Sequence, residues 1–427
     1  MEKSNKLISI NISDCDVDKL VEKIGDGYWI DEGKLTFDYN ISESKFLILI
    51  NTIFNCINLV KLDLSKSKLK DKYVEIIWDL VSVNTTITHL DMSYNILHND
   101  ITKFINMLIV NKYIRSFNFS GNYVEYNDVI KIVEALYQNN TLEKLYLGHP
   151  EILASDIENL FTKLLEKNNT LTKLILKHID LDVKFFNSIS NCLSQNKTLI
   201  SLAFINCGIE NNGLRVLMNS LQKNTILEKL NIADNSFNCG VSISIMLRVN
   251  KSLKQINLMC NKFCDDDIVE IMNALATNNT IQSFNLYECI SYEWSINKMD
   301  CIGNMLRQNF TLKILNIGSN YIYDSDITKI FDALMDNNSL QKINICWNRI
   351  SNVGAKKIAN VLTTNSSLEY VDLLNNNIRT PCGEIFNAML KTNTTLTEIR
   401  GIKVDEEKLE RNRQLKSHLK RIKSASN

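Results

Sequence analysis

Six side chains of the kinds that bind metal ions recur at one place in a repeating sequence pattern. They are His149, His178, Asn206, Asp234, Cys260 and Glu288. If neighbouring copies of the pattern lie about 5 Å apart, as strands of a sheet do, His149 and His178 could share one ion. The set mixes hard oxygen ligands with softer nitrogen and sulfur, however, and no single metal prefers that mixture. We therefore interpret these residues as exposed turn residues and predict no metal and no cofactor; a metal-dependent activity at the two histidines is the alternative.

The motifs of the chain indicate no other chemistry. The sequence has no glycine-rich phosphate loop, no H-E-x-x-H and no G-x-S-x-G, and its five histidines have no evident nucleophile partner. We therefore predict that the protein is not an enzyme. The 427 residues include 48 basic and 48 acidic side chains, so no net field favours a nucleic acid as partner.

The pattern that positions these residues is a repeat of the form L-x-x-L-x-L-x-x-N-x-L, seen plainly at residues 312–322. Clear copies start at Ile87, Ile114, Leu142, Leu171, Leu199, Leu227, Leu253, Ile281, Leu312, Leu340 and Leu368. Weaker copies start at Leu7, Glu32, Leu59 and Leu396. Most starts are 28 residues apart, which gives about fifteen units with a period typical of strand-plus-helix repeats.

Each unit is predicted to hold one strand and one helix. In the copy at 312–322, Leu315 and Ile317 alternate with residues such as Asn316, which is the period of two of a strand buried on one face. Residues 326–334 then place apolar side chains three and four apart, as an amphipathic helix requires.

An asparagine closes the strand half of most units. The examples are Asn95, Asn122, Asn235, Asn261, Asn320, Asn348 and Asn376. An amide donates and accepts at once, so each side chain is expected to satisfy backbone groups in the turn that leaves the strand. Cys15, Cys207 and Cys289 stand at this place in three other units, where a small buried thiol donates weakly.

The 28-residue period, the L-x-x-L-x-L-x-x-N/C core and the Asn-Asn-Thr-Leu junctions at 139–142 and 168–171 resemble the ribonuclease inhibitor-like subclass of leucine-rich repeat proteins. The resemblance covers nearly the whole chain and implies an α/β fold, a leucine-rich repeat solenoid. Strands need about 4.8 Å each and packed helices about 8 to 10 Å, so a stack with all strands on one side must curve. We expect a horseshoe with a concave parallel β-sheet, convex α-helices and about 15 repeats.

The ends of the repeat array are predicted to differ from its middle. Residues 1–58 are expected to hold irregular N-terminal capping repeats, and residues 59–400 the leucine-rich repeat array. Residues 401–427 are expected to form a C-terminal capping helix, over 404–423, and a basic tail. Basic residues suit the helix dipole, and a solvated tail is a better interpretation than an anionic-surface contact.

The subclass shares a curved face that binds another protein, so the resemblance implies a protein partner, of unknown identity, on the concave face. One column of that face is mostly Asn and Asp, which could bond to one another up the stack or face the partner, and aromatic residues stand nearby. The predicted partner-binding residues are Lys229, Asn231, Asn257, Tyr287, Asn316, Asn344, Trp347, Tyr370 and Asp372. We predict a monomeric, non-catalytic interaction scaffold; a Ran-type GTPase-activating protein is the alternative.

The cellular location is predicted from the first residues and the cysteines. Residues 1–10 lack the apolar core, about 7 to 15 residues long, of a secretory signal, and the most apolar run, 46–59, suits a packed helix rather than a membrane span. The 11 cysteines are odd in number and have no paired framework. A reducing, cytoplasmic location is therefore expected, with no membrane partner.

Overall fold

The structure is a computed structural model of the 427-residue chain. The residues that it describes are 8–12, 17–19, 21–22, 32–37, 41–55, 59–69, 71–95, 101–122, 126–148, 154–290, 300–379 and 382–425. The chain forms two compact units, Met1–Gly208 and Ile209–Asn427.

Strands and helices alternate along the first unit. Its strands are β1 (Ile8–Ile12), β2 (Glu32–Phe37), β3 (Lys61–Asp63), β4 (His89–Asp91), β5 (Ser116–Asn118), β6 (Lys144–Leu147), β7 (Lys173–Lys177) and β8 (Ser201–Ile205). Its described helices are α1 (Glu43–Phe54), α2 (Asp71–Val83), α3 (Thr102–Val110), α4 (Tyr126–Gln138), α5 (Ala154–Lys167) and α6 (Val183–Gln195). Each strand pairs in parallel with the next, so the strand order follows the chain.

The second unit repeats the same arrangement. Its strands are β9 (Lys229–Asn231), β10 (Gln255–Asn257), β11 (Ser283–Asn285), β12 (Ile314–Asn316), β13 (Lys342–Asn344), β14 (Tyr370–Asp372) and β15 (Glu398–Arg400). Its described helices are α7 (Asn211–Lys223), α8 (Gly240–Val249), α9 (Asp265–Thr277), α10 (Asp300–Gln308), α11 (Asp324–Leu334), α12 (Asn352–Leu362), α13 (Cys382–Met389) and α14 (Glu406–Ala425). These strands also pair in parallel and in chain order. The predicted parallel stack of strand-plus-helix repeats is confirmed in both units.

The apolar residues of the repeat pattern form the core. In the repeat that contains β9, Leu230 is 2% exposed and Ile232 is fully buried. The helix that follows, α8, buries Ile243 and Leu247 on one side. Inward strand residues and one stripe of each helix thus pack together, and strand residues of the opposite side, such as Lys229, are exposed.

The asparagine that closes the strand half of most repeats connects neighbouring repeats. Asn320 Nδ2 donates to the carbonyl of Leu286 in the preceding repeat, at 2.7 Å. Asn320 Oδ1 accepts from the backbone N–H groups of Cys289 and Ile290, at 2.9 and 3.0 Å. Cys289, which replaces an asparagine, donates through Sγ to the carbonyl of Leu258 at 3.0 Å. The predicted role of this asparagine in satisfying the turn backbone is confirmed.

A second buried asparagine connects the repeats where each helix ends. Asn309 Nδ2 donates to the carbonyls of Leu275 and Asn278 in the preceding repeat, at 2.6 and 2.9 Å. Its Oδ1 accepts from the N–H groups of Thr311 and Leu312, at 2.8 Å each. Buried asparagines at the same place are Asn84, Asn111, Asn139, Asn168, Asn196, Asn224, Asn250, Asn278, Asn337, Asn365 and Asn393. The Asn-Asn-Thr-Leu junctions served only to indicate the family resemblance, so this connection was not predicted.

The terminal helix α14 continues this second connection. Asn412 Nδ2 donates to the carbonyls of Asn393 and Leu396, at 3.1 and 2.7 Å, and Arg411 Nη2 donates to the carbonyl of Leu390 at 3.0 Å. The bonds to Asn393 and Leu390 are those that the asparagine of a further repeat would make. Lys416 forms an ion pair with Glu369. Part of the basic segment is therefore held against the last repeats and is not the wholly solvated tail that the sequence suggested. The three-part division of the chain stays a prediction.

Two cysteines that close strand halves, Cys207 and Cys289, are deeply buried. Burial raises the pKa of the Cys207 and Cys289 thiols to about 12, so these groups stay protonated at neutral pH. Within the described part of the chain, no helix combines the length and the apolar character needed to cross a bilayer.

Replacing Leu230 by Ala is expected to lower the free energy of unfolding by about 2 to 5 kcal/mol, because the deleted atoms leave a cavity in the core. The loosening should concentrate in the adjacent repeats, since contacts in a solenoid join neighbours. Chemical denaturation measures the change, and hydrogen exchange locates it. The matched control is Ile245→Ala on α8, where the side chain is 45% exposed and a change within about 0.5 kcal/mol is expected. Equal losses in the two variants would contradict the assignment of faces.

Candidate protein-binding face

A row of asparagines crosses the second unit on the side of the sheet that points away from the helices. Asn231, Asn257, Asn285, Asn316 and Asn344 form this amide row, one residue in each of the strands β9 to β13. They are aligned with one another across neighbouring strands. All five side chains are half-buried. Since adjacent strands lie about 4.8 Å apart, the row presents one amide group at about that interval.

Each amide of the row is oriented by the backbone of its own repeat. Asn316 Oδ1 accepts from the N–H of Gly318, two residues later, at 3.1 Å, and the other four make the same bond. A backbone N–H only donates, so the atom that it contacts is the oxygen, and Nδ2 points away from the turn. The Nδ2 atoms of Asn231, Asn257, Asn285 and Asn316 donate to no residue in the described ranges, whereas the side chain of Asn344 also forms a hydrogen bond with the Cys346 thiol. A bond between neighbouring rungs occurs instead in the first unit, from Asn118 Nδ2 to Asp91 Oδ2 at 2.8 Å.

Cationic side chains stand on one side of the amide row. Lys229 and Lys342 lie two residues before the asparagine of their own strand and are exposed. Neither forms an ion pair with a described residue; Lys342 Nζ lies 6.0 Å from the centre of the Tyr370 ring. Their charges are therefore available to an acidic partner.

Tyr370 is held at the end of this face by its neighbours. Its hydroxyl donates to Asp372 Oδ2 at 2.9 Å, and the Arg400 guanidinium carbon lies 5.7 Å from its ring centre. Burial, followed by the bond to the Asp372 carboxylate, raises the pKa of Tyr370 to about 12. Asp372 is 5% exposed and also accepts from the N–H of Leu374. The structure thus places Asp372 where it positions Tyr370, and not on the accessible surface where we expected it.

Apolar side chains stand on the other side of the amide row. Trp347 is 59% exposed and Leu374 is also exposed. Met259 and Tyr287 are half-buried two residues after the row. A side chain at Gly318 would lie 2.8 Å from Tyr287 Cδ2, so glycine makes room for this ring. The apolar edge formed by these residues gives the face a cationic side and an apolar side.

The column that suggested metal binding is a column of turn residues. His178, Asn206, Asp234, Cys260 and Glu288 all have a left-handed backbone, with φ between 49 and 59°. His178 Nδ1 lies 3.0 Å from Asn206 Nδ2. In the described ranges, no three His, Cys, Asp or Glu side chains meet in a group that could hold a metal ion.

One member of this column, Cys260, lies beside the acidic side chains of Glu288 and Asp234. His149 lies outside the described residues. Burial and then the charges of Glu288 and Asp234 raise the pKa of the Cys260 thiol, so the thiol is not activated. The interpretation of this column as turn residues is confirmed for its described members.

One cluster near the face was missed by the sequence analysis. The guanidinium of Arg349 lies between two rings, 5.1 Å from the centre of Tyr321 and 5.4 Å from that of Tyr323. Its Nη1 also donates to the Tyr323 hydroxyl at 2.8 Å. Tyr321 and Arg349 follow the asparagines Asn320 and Asn348 directly, so an alignment of the repeats would have brought them together.

Comparisons with known proteins find the repeat pattern elsewhere. A leucine-rich repeat family model matches residues 83–102 and 336–359. The ribonuclease inhibitor of Sus scrofa is 26% identical over 198 residues, a match that spans 45% of this chain and 43% of that protein. A solved internalin structure from Listeria monocytogenes has a TM-score of 0.45 at 17% identity and covers 82% of this chain and 83% of its own. The structure of Leiomodin-1 actin-binding site 2 has a TM-score of 0.33 at 19% identity, and the match covers 37% of this chain and 96% of that chain.

Replacing Asn316 by Ala is expected to lower the free energy of unfolding by about 1 kcal/mol, because the Gly318 N–H loses its acceptor. Asn316→Asp retains that acceptor and should change stability by less than about 0.5 kcal/mol. The chain itself supports this contrast, since Asp63 Oδ1 accepts from the Ser65 N–H at 2.9 Å at the same place in another repeat. Urea denaturation of both variants tests it, and an Asp variant as unstable as the Ala variant would refute the assigned bond.

Proposed function

Because this chain is a leucine-rich repeat protein of the ribonuclease inhibitor-like type, we propose that the open sheet face of its second unit binds a protein partner without catalysis. The observation that carries the proposal is the amide row, in which four of the five Nδ2 donors, all but that of Asn344, have no acceptor among the described residues. A half-buried donor gains from an acceptor supplied by a partner, since covering it with apolar surface would be unfavourable. The repeat fold alone would support a protein contact but would not favour one surface over another.

The contact residues proposed here are those of the amide row and its two edges. They are Lys229, Asn231, Asn257, Asn285, Asn316, Asn344, Tyr287, Trp347 and Tyr370, with Asp372 acting through Tyr370. Trp347 is the proposed main anchor, because its large ring is exposed and interfaces concentrate binding energy in such aromatic residues.

The rigidity of the face supports a binding function. The strand backbone is paired on both sides throughout β10 to β14, and the amide oxygens are already bonded to the backbone. A surface that is ordered before it binds loses little conformational entropy in the complex. The protein would therefore present its donors to the partner without rearrangement.

We place the binding event inside the cell and expect a monomeric scaffold. The described cysteines are free thiols, and the most deeply buried ones are embedded in the repeat core, which suits a reducing compartment. The equal numbers of acidic and basic residues favour a protein over a nucleic acid as partner. The end segments 1–58 and 401–427 are proposed to cover the array 59–400. A Ran-type GTPase-activating function stays a prediction that no feature of the described residues favours.

Replacing Trp347 by Asp is expected to reduce recovery of the partner by at least about tenfold, because the variant loses the apolar anchor. Asp234 occupies the same turn position with a φ of 59°, so Asp is compatible with the backbone. The measurement is affinity capture from the native cell with quantitative mass spectrometry, using the full chain as bait.

The control for this experiment is Val353→Asp in α12, where an apolar side chain that is 70% exposed receives the same charge on the helix side. This variant should recover the same proteins as the wild type. Undiminished capture by Trp347→Asp, or an equal loss with Val353→Asp, would reject the open sheet face as the binding surface.

A further inference from the structure

We infer that the partner of this face is an amphipathic α-helix that carries one carboxylate on each turn, beside an apolar stripe. The inference rests on the proposed function and names the chemistry of its partner. It starts from the amide row, whose five asparagines lie in register and in which the Nδ2 groups of Asn231, Asn257, Asn285 and Asn316 lack an acceptor among the residues that the structure describes.

The donors require a partner with acceptor oxygens. If an apolar surface covered the row, each half-buried N–H group would lose water and gain nothing. The partner must therefore supply about one oxygen to each strand that it crosses. Lys229 and Lys342, both exposed beside the row, favour charged carboxylates over neutral amides at these places.

The spacing of the row fits a helix better than an extended chain. Adjacent strands lie about 4.8 Å apart, whereas one helical turn rises about 5.4 Å and every second residue of a strand about 6.7 Å. Over the four gaps from Asn231 to Asn344, the mismatch is about 2.4 Å for a helix and about 7.6 Å for a strand laid along the row. Flexible Asp or Glu side chains absorb the first mismatch and not the second. A helix of about 13 residues covers the row, since each residue adds about 1.5 Å.

The edges of the row define the other sides of this helix. The apolar edge, with Met259 and Tyr287 two residues beyond the row, requires an apolar stripe next to the carboxylates. Asp234 and Glu288 lie one residue further out and are exposed. A basic residue beyond the apolar stripe would complement them. The order of stripes on the helix is thus acidic, apolar and basic.

Two labelled designed helical peptides test this inference directly. Both carry the same apolar stripe, and one has Glu on each turn where the other has Lys. Fluorescence anisotropy with the purified full chain should show that the Glu helix binds at least about tenfold more tightly than the Lys helix.

The protein variant Asn285→Asp/Asn316→Asp then removes two donors and retains both backbone bonds. It should weaken binding of the Glu helix by about a hundredfold, because each site loses a bond to a charged group and gains repulsion. The control is Asn273→Asp, an exposed residue of α9 on the helix side that receives the same kind of charge. Binding by this control should equal that of the wild type.

Equal binding of the Glu and Lys helices, or undiminished binding by the double variant, would overturn the inference. Capture of the cellular partner separates this outcome from a failure of the proposed function. If Trp347→Asp still abolishes capture while the Glu helix does not bind, the face is correct and the acidic helix is wrong.

Discussion

Backbone hydrogen bonds that run from one repeat to the next are the interaction on which this fold depends. Asn320 satisfies N–H groups and a carbonyl of the repeat before it. Where the helices end, Asn309 joins two carbonyls of the repeat before it to N–H groups that directly follow Asn309 itself. These groups are buried and would be costly to leave unpaired. A single repeat therefore cannot be stable alone, and Arg411 and Asn412 of the terminal helix supply the bonds to Leu390 and Asn393 that the last repeat would lack.

Because inward-facing residues hold the repeats together, the open side of the sheet is available for recognition. The core residues and the two sets of connecting asparagines face inward, so the outward residues carry little of the stability. The amide row is an exception in one respect, because each Oδ1 is bonded to its own turn. One half of the amide is structural and the other half faces solvent, so recognition and folding share a side chain without competing for an atom.

The regular spacing of the repeats made most of the fold predictable from the sequence. Side-chain contacts that do not recur from repeat to repeat could not be predicted. The alternation around Leu315 and the repeated Asn320 position predicted the strands, the turn bonds and the parallel stack. The burial of Asp372 beneath Tyr370 depends on a side-chain bond that no spacing specifies. The orientation of the amide row was also hidden, because the acceptor at Asn316 is satisfied by a backbone group two residues away rather than by a neighbouring rung.

The left-handed turn residue that follows many of the described strands has a consequence for protein engineering. His178, Asp234 and Trp347 share the same backbone conformation although their side chains differ in size and charge. The bond from the N–H of this residue to the next repeat, as from Asp234 to the carbonyl of Met259 at 2.7 Å, maintains the conformation. The scaffold thus does not dictate which amino acid stands there. A combinatorial library at these positions alone, with proline and the β-branched residues left out, would vary the rim of the binding surface while its members retained the same backbone.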